Sequence, residues 1–195
     1  MEYIIHRVNS INELKKIKKT YGVEIDIRSN GSKLILNHEP FVNGESFINY
    51  IDEYRHGTLV LNIKEAGIEN TVLKLIKQRP YITSYFLLDV EFPYIYVASR
   101  QGEKNIAIRY SEDESIDTVK NYINKLNWVW IDTNSRLPID KNNIQTLNNF
   151  KKCMVCPSRW KQTYKISQYL KFLKSNNFKI DAIMTSLKNI TYYNV

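Results

Sequence analysis

No stretch of this 195-residue chain is apolar for the roughly 20 residues that a membrane-spanning helix requires. The opening Met1-Glu2-Tyr3-Ile4-Ile5-His6 also lacks the basic start and long apolar stretch of a signal peptide, so the expected compartment is the cytoplasm. Cysteine is scarce. Cys153 and Cys156 form one C-x-x-C, and no second Cys pair or His pair stands at ligand spacing, which excludes a four-ligand structural zinc site and a disulfide framework. Period 2 along Cys153 to Cys156, followed by Pro157, reads as buried strand and not as a redox pair opening a helix. Six Gly and five Pro exclude collagen-like and low-complexity chains. Neither G-x-G-x-x-G nor G-x-x-x-x-G-K-[ST] occurs, which removes the usual phosphate loop of an open doubly wound sheet. No composition step, repeat or linker divides the chain, so residues 1–195 are expected to form one domain.

The composition is that of a globular protein, with 43% hydrophobic and 25% charged residues. Twenty-eight Lys and Arg against 20 acids leave a net charge of +8, a field that attracts anions without choosing among them. Short apolar runs alternate with amphipathic segments throughout, the pattern of parallel strands joined by helices. Eight strands are expected, at Tyr3 to His6, Val23 to Ile27, Leu59 to Ile63, Tyr85 to Leu88, Asn105 to Tyr110, Trp128 to Ile131, Cys153 to Cys156 and Lys179 to Met184. Helices are expected from Ser10, whose Ser-x-x-Glu is a capping box, and over Ser46 to Tyr54, Glu69 to Lys77, Ser115 to Leu126, Asn142 to Phe150 and Thr163 to Ser175. Around Ser99 to Glu103 the pattern supports no more than a single turn. Eight strand and helix units predict an α/β protein of the (β/α)8 TIM-barrel class at minimal size, with the open doubly wound sheet as the rival.

The second strand is the most informative segment. Alternation puts Glu24, Asp26 and Arg28 on one face and Val23, Ile25 and Ile27 on the other, so two carboxylates stand roughly 7 Å apart. In a barrel they would point into the lumen, where a bound cation compensates them; in an antiparallel sheet the same face would simply be wet. Asn30-Gly31 predicts a tight hairpin that pairs Glu24 with Asn37 and leaves His38 on the opposite face unless the chain bends. Of three histidines, His6 and His38 end strand-like runs, and His56 before Gly57 reads as a capping or surface residue. Two such histidines flanking a phosphodiester have the pKa range for acid and base work. Asp89, Glu91, Arg109, Asp132, Asn134 and Arg159 follow strands as caps or loop residues; Trp128 and Trp130 share a packing face, and Trp160 is placed to stack on a ligand.

This constellation resembles the glycerophosphodiester phosphodiesterase family. The family pattern runs His-Arg-Gly at the end of the first barrel strand, Glu-x-Asp on the second, a Gly turn with an apolar run ending in His-Asp, and Glu-x-Lys on the third. Here His6-Arg7-Val8, Glu24-Ile25-Asp26, Asn30-Gly31, Leu34 to Glu39 and Asn62-Ile63-Lys64 hold those places. The resemblance implies a metal-dependent phosphodiester hydrolase of lipid metabolism acting on a small anionic phosphodiester. It implies that His6 and His38 are acid and base, that Arg7 and Lys64 bind phosphate, and that Glu24, Asp26 and Asn62 hold a magnesium or calcium ion. Val8, Glu39 and Asn62 depart from the pattern, and the amide in place of a third carboxylate implies weaker metal binding. A cyclising lyase of the same barrel type and a degenerate barrel that binds an anion without turnover are the neighbouring alternatives. Fourteen Tyr with the basic charge raise nucleic-acid binding, but no recognised nucleic-acid module is present.

Overall fold

The computed structural model describes residues 1–193. Two compact units make up the chain, one from Ile4 to Ile95, the other formed by Met1–Tyr3 and the chain from Tyr96 on. No helix among the described residues is long and apolar enough to cross a membrane.

In the unit Ile4–Ile95, β1 (Glu2–Ile5) contributes its last two residues, which pair in parallel with β2 (Gly22–Asn30) through Ile4 to Gly22 and Ile5 to Val23. β2 pairs in parallel with β5 (Leu59–Ile63), and β5 with β6 (Tyr85–Leu88). On β2 the apolar set Val23, Ile25 and Ile27 is wholly buried, each such side chain stabilising the fold by about 1.5–3 kcal/mol. Helices close the connections. In α1 (Ile11–Leu14) the Ser10 hydroxyl accepts the Glu13 N–H, and Ser46 caps α2 (Phe47–Glu53) the same way through Asn49. α3 (Glu69–Lys77) buries Val72, Leu73 and Ile76, one stripe at helical spacing, and ends on Lys74 and Lys77, the charge that suits a helix C-terminus.

In the other unit, β7 (Ala107–Tyr110), β8 (Trp128–Ile131), β9 (Lys151–Val155) and β10 (Ala182–Thr185) pair in parallel in that order. The Glu2 N–H donates to the Asp181 carbonyl at 2.8 Å, bringing the first residues of β1 to β10. α5 (Ile116–Lys120), α6 (Ile144–Leu147) and α7 (Ile166–Ser175) connect these strands, α7 burying Ile166, Tyr169 and Leu173. Trp128 and Trp130 are buried, as their shared face predicts, and both cysteines are free thiols buried at or beside β9.

All eight expected parallel strands are present, but three local expectations need correction. First, a nine-residue helix, α4 (Phe92–Arg100), stands where only a turn near Ser99 was expected. Pro93 lies in its first turn, where the missing N–H has no intrahelical partner to lose, and Ile95 and Ala98 supply the buried side. Second, the helices expected at Ser115 and Asn142 are single turns, α5 and α6, continued by irregular turns.

Third, the hairpin register is shifted by two residues. β2 pairs with β3 (Lys33–Leu36) as Asn30 to Lys33 and Ile27 to Leu36, so the loop is Gly31-Ser32 rather than Asn30-Gly31. Gly31 takes φ 61° at the first loop position, where two-residue hairpins favour glycine. The shift puts the Asn37 N–H on the Asp26 carbonyl, not opposite Glu24. β3 then pairs with the short β4 (Glu45–Ser46), and the loop between them is cinched by Asn37, whose Nδ2 donates to the Asn43 carbonyl at 2.9 Å. Gly44 is required here, because a Cβ would stand 2.2 Å from the Leu36 carbonyl oxygen. Gly44→Ala is expected to destabilise the fold by about 1–3 kcal/mol, read from the urea midpoint; an unchanged midpoint contradicts this account.

Candidate functional site

The C-terminal ends of β1, β2, β5 and β6 bring one polar cluster together inside the unit Ile4–Ile95. Glu24 and Asp26 are buried, at 1% and 0% exposure, which decides between the two readings of their face: they lie inside the fold and not on a wet antiparallel surface. β2 runs between β1 and β5, and the groups that meet the two carboxylates come from the turn after β1 and from the end of β5.

Each carboxylate has named partners. The Glu24 Oε2 accepts the Arg7 backbone N–H at 2.8 Å and lies 3.8 Å from His6 Nε2. Its Oε1 accepts Asn62 Nδ2 at 2.8 Å. Asp26 Oδ2 accepts Asn9 Nδ2 at 2.9 Å and lies 3.9 Å from Arg7 Nε, while Asp26 Oδ1 is 3.2 Å from Lys64 Nζ. Asn9 also accepts the Asp26 N–H through its Oδ1 at 2.8 Å, so the two residues lock each other. Lys64 lies 3.7 Å from Asp89 Oδ2 as well. Arg7 and Asp89 both hold φ 55°, a conformation non-glycine residues rarely take, at the turns that leave β1 and β6. At Arg7 it goes with the N–H aimed at Glu24.

Burial, with the neighbouring Asp26 charge second, pushes the Glu24 carboxyl up to about 7; Asn62, the Arg7 N–H and Lys64 oppose the rise. His38 stands just beyond β3. Its Nδ1 is 2.6 Å from Glu39 Oε1, and that contact holds the exposed Glu39 carboxyl below its usual range, with Arg7 and Arg28 contributing. The His38 carbonyl is held by Arg28, which sequence alternation places on the face of Glu24 and Asp26. His56 instead meets the Ile17 carbonyl at 3.1 Å, and its partial burial pushes its pKa down, the behaviour of a structural residue.

The expected residues His6, Arg7, Glu24, Asp26, Asn62 and Lys64 thus form one linked group, and His38 joins it through Arg28. Among the described residues no group of three or more His, Cys, Asp and Glu side chains is placed to hold a metal ion. Asn62 stands beside the two carboxylates as an amide. Asn62 Oδ1 is nevertheless a buried acceptor without a hydrogen-bond partner, on the side chain whose Nδ2 touches Glu24. Two carboxylates and one unpartnered amide oxygen are hard donors that suit magnesium or calcium. Sequence reasoning did not single out Asn9 or the clamp made by Arg28, since neither has a motif; Asp89 was noted only as following a strand. Of the other strand-end residues, Arg109 pairs with Glu114 and Asp132, and Trp160 is 45% exposed.

The chain superposes on the crystal structure of a "Putative glycerophosphoryl diester phosphodiesterase" from Agrobacterium tumefaciens with a TM-score of 0.68, over 98% of this chain and 96% of that one. The two share one fold. Identity is only 8%, so the likeness is one of architecture, and no family model and no curated protein matches the sequence. The α/β class with eight parallel strands, expected from the order of strands and helices, is the architecture that the two structures share.

Proposed function

We propose that this protein hydrolyses a phosphodiester of the glycerophosphodiester type, using His6 and His38 as acid and base. The observation that carries the reading is the buried pair Glu24 and Asp26 set among His6, Arg7, Asn62 and Lys64 at the strand ends of a glycerophosphodiesterase fold. Arg7 and Lys64 attract the phosphate oxygens. One histidine takes the proton of the attacking water as its oxygen bonds to phosphorus, and the other protonates the alkoxide as the phosphorus–oxygen bond to it breaks. Glu24, Asp26 and Asn62 would hold a magnesium or calcium ion, which when bound neutralises non-bridging phosphate charge. Glu24 Oε2 lies 3.8 Å from His6 Nε2, beside the ring. The test is release of alcohol from a glycerophosphodiester panel with magnesium, calcium or chelator. Metal-dependent turnover supports the reading; a cyclic phosphate product assigns the lyase variant instead; no turnover from folded protein rejects hydrolysis of this class.

Asn62 favours a second reading, a barrel that binds an anionic ligand without turning it over. Asn62→Glu separates the two. If the cation site is inherited and weakened, the added carboxylate raises calcium affinity at least tenfold by titration calorimetry and lowers stability in chelator, because three carboxylates then face one another. Unchanged affinity places no cation there.

A further inference from the structure

We infer that Arg28 is a positioning residue that sets the spacing between His38 and Lys64. The inference rests on the roles proposed for those two residues, but its geometry does not. Arg28 Nε and Nη2 donate to the His38 carbonyl at 3.2 and 3.0 Å, and Nη1 donates to the Lys64 carbonyl at 3.1 Å. One planar guanidinium therefore ties together two chain segments that leave β3 and β5 on either side of β2. β3 ends at Leu36 and β5 at Ile63, so His38 and Lys64 stand two and one residues beyond their strands. The Lys64 N–H reaches the Ile27 carbonyl at 3.1 Å and the Asn37 N–H the Asp26 carbonyl at 3.0 Å, so each segment is fixed to β2 separately. Arg28 is the single group that bonds to both segments.

The chemistry explains the residue type. A guanidinium offers five donors in a rigid fork, so it can hold two carbonyls at a set separation; a lysine offers one compact charge on a flexible stem and cannot. Arg28 also stands near Glu39, the partner of the His38 ring, and helps keep that carboxyl ionised. A displaced His38 backbone would carry the His38–Glu39 pair with it. With reacting groups held to fractions of an ångström in a productive complex, a shift of about 1 Å costs on the order of 10²-fold in rate.

The experiment compares the full chain with Arg28→Lys and Arg28→Met, by amide hydrogen exchange and by kinetics over pH. Exchange is expected to rise at least tenfold in residues 37–44 and 64–67 of both variants, with α3 and β7 to β10 unchanged. In kinetics, kcat of Arg28→Lys is expected to fall at least tenfold, with KM changing less than threefold. Unchanged exchange in those two segments overturns the proposal, as does a rise spread evenly over the whole unit in both variants, which makes Arg28 a general stability residue. If the wild-type chain turns over no phosphodiester, the hydrolase reading fails by itself and the exchange data still decide whether Arg28 positions the two segments.

Discussion

His6→Ala and His38→Ala are each expected to lower kcat on a glycerophosphodiester by about 10²–10⁴-fold, the range over which a positioned acid or base contributes. The two should not be equivalent. His6 lies beside the buried Glu24, and His38 beside the exposed Glu39, so the two rings stand in different electrostatic settings. A double variant no slower than the singles would show that the two act as a unit. If either single variant keeps more than a tenth of wild-type kcat, that histidine is not the acid or base. His56→Ala serves as the control, because its ring holds a backbone carbonyl and not the cluster.

Glu24 is expected to make the cation-free protein less stable as the pH rises. Its carboxyl is raised from the ordinary 4.5 to about 7, so the folded chain binds that proton more tightly than the unfolded chain does. The favourable contribution is complete below about 4.5 and declines as the pH rises through about 7. By linkage the change amounts to at most about 3 kcal/mol. Urea unfolding in chelator at pH 5 and pH 8 measures it. The wild type should lose this stability across the interval, while Glu24→Gln, which has no proton to lose, should show a much flatter dependence. Magnesium or calcium should restore stability to the wild type at pH 8, because a cation favours the ionised carboxylates. Parallel pH curves for wild type and Glu24→Gln would remove the buried charge as the cause.

Much of this site was legible at the level of residue spacing. Alternation alone put Glu24, Asp26 and Arg28 on one face, and the strand ends put His6, Asn62 and Lys64 where chemistry is carried in this fold. The capping box at Ser10 and the apolar stripe of α3 were equally readable, since they depend only on neighbours three or four residues apart. The hairpin register was not. Whether Asn30 or Gly31 begins the loop changes no local pattern, and only the pairing of Asn30 with Lys33 shows that the loop is Gly31-Ser32. α4 was hidden by Pro93, because a proline in the first turn looks the same in sequence as one that ends a helix.

The sequence by itself determined the order of strands and helices and the residue types at the strand ends, because both follow from side-chain periodicity along a short stretch of chain. Only the tertiary structure decided that the acidic face of β2 is buried, since the groups that meet Glu24 and Asp26 come from the turn after β1 and from the end of β5. It alone decided that Glu24 keeps its proton to about 7, since desolvation is the work of residues distant in the chain. The meeting of Arg28 with the carbonyls of His38 and Lys64, 10 and 36 residues away, belongs to the same class: hydrogen bonds across such separations leave no periodic trace in the sequence.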